Sequence, residues 1–487
     1  MNHAVVIAGG GPTGMMLAAE LTLAGVDAVI VERRLTQELD GSRAGGLHPR
    51  TLEVFDQRGI VERFVSEGER HPIAGFALTQ LDITDFPTRH NYVLALWQSH
   101  IERIMSAWID ELGVQTLRGR EVEGFAQSDS GVDVSISDGS ALRAEYLVGC
   151  DGGRSVVRKA AGIEFVGEDA STSWMIAEVE MDVEPEFGIR HDDAGMHAIG
   201  RRAEGEPIRI VLTERSIDHA TEPTIDELRD ELHGVYGTDF GLRSASWISR
   251  FTDMTRQAAE YRRNRVLLAG DAAHVHPPQG GQGLGTGVQD AVNLGWKLAQ
   301  VVQHISPDDL LDTYHVERHP VGARVLRNTR AQVALNTRDP RHQALYEITA
   351  ELLAMDEPRR RIGAMMTALD VHYDFGEGHP LLGRRMPDLD VQTSDGLTRV
   401  YSLLHTARPV LLNLGAPAAF DIEPWGGRVR VVDAHYDGVW ELPVIGEVAA
   451  PGSVLIRPDG HVAWTGNATD ADLQGALTRW FGVAAES

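Results

Sequence analysis

The chain has one cysteine, Cys150, in 487 residues. That excludes internal disulfides, a CxxC redox pair and a cysteine-built zinc centre, and no metal site is expected. Lysine is nearly as scarce: Lys159 and Lys297 are the only two, and every other basic residue is arginine or histidine. Positive charge is short overall, with 45 Lys and Arg against 71 Asp and Glu and a net charge of −26. General attraction to nucleic acid or anionic lipid is therefore disfavoured, and neither is expected as a partner. No run approaches the roughly 20 apolar residues that cross a bilayer. Residues 3–8 lead straight into a glycine loop without a signal-peptide cleavage pattern, so a cytoplasmic location is expected. The length exceeds what one core holds and predicts two to three domains. Monomer and homo-oligomer both stay open.

What is present begins with a strand, helix, strand unit of crossover size. Residues 4–8 form an apolar β-rich run, 15–24 read as a helix ended by Gly25, and 26–31 form a second β-rich run closed by Glu32. Further on, 50–65 reads as helical and 72–97 as irregular to β. Residues 100–112 form an amphipathic helix with Ile101, Ile104, Met105, Trp108 and Ile109 on one side. The stretch 120–150 alternates apolar and polar residues and turns at Asp138-Gly139. Strands within 174–215 and 245–252, with a helix near 224–236, suggest an inserted sheet. A buried strand over 266–269 precedes Gly270-Asp271, and long helices follow from about 288 to 370. After His379-Pro380 the pattern becomes β-rich again, at 409–414, 429–432 and 454–464, with a short helix at 471–480.

The loop between the first strand and helix is Gly9-Gly10-Gly11-Pro12-Thr13-Gly14. In such a GxGxxG pattern Gly9 permits a tight turn, Gly11 lets backbone approach a pyrophosphate, and Gly14 lets helix and strand pack closely. The pyrophosphate rests on helix N-terminal amides, where the macrodipole favours negative charge. Glu32 ends the second strand, where a carboxylate accepts hydrogen bonds from a ribose diol. A plain glycine turn is the alternative, but strand, helix and acid in order favour a dinucleotide, FAD or NAD before NADP.

Two further motifs decide between them. The first is Cys150-Asp151-Gly152-Gly153-Arg154-Ser155 with Arg158. The second is Gly270-Asp271-Ala272-Ala273-His274, then Pro277-Pro278 and Gly280-Gly281-Gln282-Gly283-Leu284-Gly285-Thr286-Gly287, completed by Asp290, Asn293, Trp296, Lys297 and Leu298. With the N-terminal loop, and with 42–48 and 50–56, these resemble the class A flavoprotein monooxygenases, the para-hydroxybenzoate hydroxylase-like family. Within it the chain looks most similar to bacterial aromatic polyketide hydroxylases and rifampicin monooxygenases, and the resemblance spans nearly the whole length.

The resemblance implies an α/β fold: a Rossmann-like FAD-binding domain with an inserted β-sheet substrate domain and a C-terminal thioredoxin-like domain. The expected boundaries are 1–173 and 262–380 for FAD binding, 72–98 and 174–261 for the substrate sheet, and 384–487 for the tail. The tail reads Gly415-Ala416-Pro417-Ala418 where a CxxC would sit, so thiol exchange is excluded. Asp271 ends a buried strand and would accept from the ribityl chain; a helix N-cap is its alternative. The helix expected to begin near Val288 would point its positive end at the flavin N1–C2=O edge, where charge develops on reduction.

By resemblance, Asp151 and Arg154 join FAD holding and nicotinamide docking, against a capped turn with a surface salt bridge. Arg43 meets the flavin or nicotinamide, with a solvated arginine as its competitor. Thr13 and Arg33 match positions near the pyrophosphate and adenosine, Gln98 a ribityl contact, and Val122 a backbone contact to adenine that equally reads as plain core. Pro278, Gly283, Leu284 and Gly285 would border the ring. Two departures stand out: Gly285 replaces a frequent asparagine, and Trp97 a frequent proline.

The implied chemistry belongs to the cofactor. NADPH or NADH reduces FAD, dioxygen adds at C4a, and the hydroperoxide gives one oxygen to a large, polycyclic phenolic substrate of polyketide type. Inactivation of a rifamycin-like naphthohydroquinone is the neighbouring alternative, and a non-catalytic flavin or drug binder the alternative outside enzymes. A flavin halogenase would need a Trp-x-Trp-x-Ile-Pro segment and a suitable lysine, and neither occurs. His48, His274 and His276 invite a role as base, but each reads more simply as structural, so no catalytic residue is named. Arg201, Arg202, Arg209 and Arg215 lie on the inserted sheet, where a polar substrate or solvent would meet them.

Overall fold

A computed structural model describes residues 2–39, 41, 44–192, 195–201, 205–217, 222–335, 339–467 and 472–485. Its helices, in chain order, are α1 Pro12–Leu23, α2 Pro49–Asp56, α3 Val61–Val65, α4 Gln98–Glu111, α5 Val156–Ala160, α6 Ile225–Tyr236, α7 Gly283–Val302, α8 Asp312–Leu335, α9 Pro340–Leu353, α10 Asp356–Thr367 and α11 Leu473–Phe481.

The first sheet runs, edge to edge, through Arg262–Arg263, Val266–Leu268, Ala141–Gly149, Asn2–Ala8, Ala28–Glu32 and Gln115–Arg118, with a hairpin of Val122–Ser128 and Gly131–Ile136 joined to the long strand. The four pairings between Val266–Leu268 and Gln115–Arg118 are parallel, in a register that sets Val6 beside Leu147 and Val29, and Leu147 beside Val266. Parallel strands need both faces covered, which is why Val5, Val6, Ile7, Val29, Ile30, Leu147 and Val148 are all fully buried. One covering layer is made by α1 lying against α7. Close approach there uses Gly295 of α7: a Cβ at that position would press on the Glu20 side chain.

The inserted sheet is antiparallel in the order Gly188–His191, Met196–Gly200, Ile208–Thr213, Ser173–Met181, Leu242–Thr252. One face carries Met175, Ala177, Ile210 and Leu212, packed with Leu228 and Leu232 of α6. The C-terminal sheet has the order Gly396–Arg399, Asp390–Thr393, Arg430–His435, Val410–Asn413, Ser453–Ile456, Val462–Gly466. Its central strands combine one parallel and two antiparallel pairings, the thioredoxin-like arrangement. The loop after Val410–Asn413 is closed without sulfur: Asn413 donates to Ala416 O at 2.8 Å, and Asp433 accepts from the Ala418 amide at 3.1 Å. Among the described residues, no helix is long and apolar enough to cross a membrane.

Three local expectations need adjusting. The helix expected over 50–65 is two helices, because Gly59 adopts φ +71° and the Ile60 amide turns back to Phe55 O, a helix stop that glycine favours. The first helix starts at Pro12 rather than 15, since proline suits a first helical position. The long helix starts at Gly283 rather than 288. Glycines are poor helix formers, but the turn is clamped from outside: Gln282 donates to the carbonyls of Met365 and Met366, and Arg318 donates to Thr286 O.

Candidate cofactor and substrate site

The three motifs, far apart in sequence, meet at the C-terminal edge of the parallel strands. Gly9 takes φ +102°, and a Cβ there would overlap the Cys150 carbonyl; one on Gly14 would overlap Gly9 O. Thr13, in the first turn of α1, reaches the third motif, its Oγ1 lying where Cβ atoms at Gly270 and Gly287 would fall. Gly11 differs from these neighbours: a Cβ there meets nothing within 4 Å. The loop is packed behind and open in front, the shape a pyrophosphate requires.

Glu32 is 5% exposed. It accepts from the Gly10 amide at 2.6 Å and from the Arg34 amide and Nε at 2.8 and 3.0 Å. Burial pushes its carboxyl up, but Arg34 and the Gly10 amide outweigh that, and it titrates below the usual carboxylate range. Arg33 is exposed. Arg34 instead faces inward and also donates to Glu102 at 2.8 Å. Glu102 in turn takes the Gln98 amide at 2.8 Å, and Gln98 Oε1 receives the Ala44 amide. Gln98 at the start of α4 is thus tied to Glu32 through Glu102 and Arg34, two residues the motifs did not flag. Val122 is buried at the start of its strand, just after Arg120 donates its amide to Glu32 O. Arg43 lies outside the described residues.

Asp151 receives the amides of Val156 and Val157 through Oδ2, at 2.7 and 3.1 Å, and keeps a buried Oδ1 without a partner among the described residues. Arg154 is exposed, 3.7 Å from Glu222, whereas Arg158 is buried and donates to Ala272 O and Gly153 O. Asp271 sits in the Gly270–Ala272 turn with its side chain exposed. Pro278 is exposed, and Gly283, Leu284 and Gly285 form the first turn of α7. At Gly285 a Cβ would collide with Thr51 Oγ1, so the glycine is matched to a hydroxyl already filling that space.

The turn that presents Asp271 is fixed from below by Asp290, fully buried on α7. Asp290 accepts from the Gly270 amide at 3.1 Å, His274 Nε2 at 2.6 Å and Arg318 Nε at 2.7 Å. Burial raises its pKa, and Arg318 and His274 more than reverse that, so it stays ionised. His274 is therefore a structural donor. His48 contacts Gly280 O at 2.9 Å and His276 contacts Pro277 O at 2.8 Å; burial lowers the pKa of both.

The inserted sheet turns its other face toward this region. Trp174, Ile176 and Glu178 lie on one strand of that face, beside Val211 and Arg209 and beside Phe251, Ser249 and Trp247. Trp174 stacks on Phe251 at 5.3 Å. Arg209 holds its guanidinium 4.5 Å over the Trp97 ring, and Trp97 immediately precedes Gln98 and backs Gly45. Arg201 pairs with Glu184 at 3.1 Å and Arg215 donates to Gly234 O, so neither is directed as Arg209 is. Arg202 lies outside the described residues.

The donor set suits FAD: an open pyrophosphate notch at Gly11, acceptors at Glu32 and Asp271, and the N-terminus of α7 with its helix dipole. Comparison with known proteins agrees. A family model described as "FAD binding domain" matches residues 2–329, and one described as "Aromatic-ring hydroxylase, C-terminal" matches 379–484. The chain is 43% identical to a rifampicin monooxygenase of Streptomyces venezuelae, covering 99% of both. It is 42% identical to a 12-dehydrotetracycline 5-monooxygenase/anhydrotetracycline 6-monooxygenase of Streptomyces rimosus, covering 100% of both. Among solved structures, the OxyS anhydrotetracycline hydroxylase from Streptomyces rimosus superposes with a TM-score of 0.92 at 41% identity, over all of both chains.

Proposed function

The chain belongs to the FAD-dependent aromatic-ring hydroxylases, and within that family we propose that it hydroxylates a large polycyclic phenol of the aromatic polyketide kind. Bound FAD supplies the redox and oxygen-activating chemistry, with NADPH or NADH as electron donor and O2 as oxygen source. The chain's own residues bind, orient and exclude water. Gly11 and the α1 N-terminus would hold the pyrophosphate, Glu32 the ribose, and Asp271 the ribityl hydroxyls, with the N-terminus of α7 toward the ring. Gln98, Val122, Asp151 and the 278–285 segment complete the same surface in this reading.

The observation that carries the substrate class is the aromatic face of the inserted sheet. Trp174, Phe251 and Trp247 give a broad apolar surface, and Arg209 beside Glu178 gives a polar edge for phenolic or keto oxygens. Arg209 stays cationic and would donate to such an oxygen, with Glu178 3.5 Å away offsetting part of its charge. A rifamycin-like naphthohydroquinone is the second reading, favoured by the rifampicin monooxygenase similarity. No side chain is assigned as nucleophile or base. The reading places the enzyme in the cytoplasm, acting on small molecules without a nucleic-acid or membrane partner.

Stopped-flow reduction, with NADPH or NADH and with or without a tetracyclic phenol, tests this. Ligand should accelerate flavin reduction, and the product should gain one oxygen atom. If para-hydroxybenzoate is hydroxylated while every polycyclic phenol and rifamycin stays inert, the substrate class is wrong.

A further inference from the structure

Seven charged or amide side chains, each at most 6% exposed, form two clusters, one around Glu317 and one around Asp290, joined by the α8 backbone at Glu317-Arg318 and by Tyr373, between the C-terminal sheet and the turn that presents Asp271. It starts at the Pro458-Asp459-Gly460 turn. Arg457, fully buried, donates through both terminal nitrogens to Glu317 of α8, at 2.8 and 2.7 Å, and also binds Asp459. Glu317 further receives Asn293 at 2.6 Å and Lys297 at 3.0 Å from α7. The next residue of α8, Arg318, spans the remaining distance, with Nε on Asp290 and Nη2 on Thr286 O. Asp290 then holds Gly270 N and His274. A second arm runs in parallel: His461 lies 4.3 Å from the Tyr373 ring, whose hydroxyl accepts from Arg318 at 3.2 Å.

We propose that Arg457 and Asp459 are positioning residues for the flavin, acting from the C-terminal domain through Glu317, Arg318 and Asp290 on the Gly270-Asp271 turn and the first turn of α7. Buried ion pairs return little net stability, because desolvation offsets their attraction, and an apolar contact of similar size would hold the domains together as well. What a hydrogen-bonded network adds is geometry, since each group has few satisfactory positions. The backbone atoms it finally grips, Gly270 N and Thr286 O, flank the proposed FAD site. A domain without thiols in its active loop thereby gains a role in the reaction without touching substrate. The inference rests on FAD lying against the Gly270-Asp271 turn.

The test titrates the refolded or flavin-stripped full chain with FAD and measures the flavin midpoint potential. Asp290→Asn reports on the placement. Arg457→Lys keeps the charge but loses the bidentate geometry. Each should raise the FAD dissociation constant about tenfold, the scale of one charge-assisted hydrogen bond. Together they should do little more than either alone, as members of one system do. Both should shift the potential.

Arg399→Lys is the control, because Arg399 joins Asp56 across the same interface at a point unconnected to Asp290. It should leave FAD affinity unchanged at a comparable loss of melting temperature. If Arg457→Lys does not fold, Tyr373→Phe, which removes one hydroxyl of the second arm, should still weaken FAD and move the potential. An unaffected Arg457→Lys beside a weakened Asp290→Asn overturns the relay and leaves the FAD placement standing. An unaffected Asp290→Asn overturns both. Equal weakening by Arg399→Lys reduces the effect to a loosened interface and overturns the proposal.

Discussion

Thr13 and Gly287, separated by most of the Rossmann-like unit in sequence, share one small volume: the threonine hydroxyl occupies the place a Cβ on the glycine would need. The contact couples the glycine loop to the first turns of α7. Gly287→Ala should therefore weaken FAD binding, and Thr13→Ala in the same chain should restore part of it. Fluorescence titration of the apo-protein measures both; a double variant no better than Gly287→Ala would show that the two segments are not in contact.

Gly11→Val should abolish FAD binding, because its side chain would enter the only open side of the loop. Asp271→Ala should cost about 1–3 kcal/mol of FAD affinity, the scale of a hydrogen bond to a charged group. Acid precipitation should release intact FAD from the parent protein. Unchanged affinity in both variants would place the cofactor elsewhere.

Acid should weaken the fold in a window set partly by His461. Burial, against the pull of Asp459, pushes its pKa down to about 4, while in the unfolded chain it is about 6.5. Between those values the unfolded chain holds more protons. The contribution is complete above about pH 6.5, declines as pH falls toward 4, and is constant below. His48 and His276 are shifted the same way. Melting temperatures between pH 7.5 and 5 should fall less steeply for His461→Gln than for the parent; an equal or steeper fall would mean His461 is already protonated in the fold.

Removing residues 384–487 should lower solubility and FAD retention together. The cut strips Glu317 of Arg457, deprives Arg58 of its Leu404 and Pro458 carbonyl partners, and exposes Trp296, which packs on Trp480 and Phe481. Glu317 keeps Lys297 and Arg58 keeps Glu20, so the loss comes from the stripped hydrogen bonds and the exposed apolar surface together. A truncated protein that stays soluble and fully active would show the tail to be dispensable.

Arg209→Ala should raise KM for a polycyclic phenol roughly tenfold, the loss of one hydrogen bond to a charged group, with FAD affinity unchanged. Steady-state NAD(P)H oxidation checks it; a loss of FAD in place of a KM effect would move Arg209 from the substrate face to the cofactor site.

The Rossmann-like unit was legible because its signals are local. The strand, glycine loop, helix and acid lie within residues 4–32, and Gly9, Gly10 and Gly14 answer to a neighbour on the chain or one strand away. The supporting shell was not. Asp290 stood inside a quoted motif, but its partners His274 and Arg318 come from a turn and a helix whose meeting no periodicity reveals. Arg34 rather than Arg33 faces Glu32 because the chain turns just past the strand end, and a one-residue choice between adjacent arginines depends on that turn. The early start of α7 depended in the same way on clamps from α8 and α10.

The seam around Arg457 also limits how this protein can be recombined with its relatives. A thioredoxin-like tail lends itself to exchange as a cassette, and a crossover near residue 380 would divide the chain neatly. Yet the tail's arginine is fitted to a glutamate of the other parent, itself held by an asparagine and a lysine on a second helix. A chimera that inherits Arg457 without Glu317 would leave the arginine with Asp459 alone, and the reverse would leave Glu317 with Lys297 as its one remaining cation. Productive hybrids should be those in which 293, 297, 317, 457 and 459 travel as one inherited block.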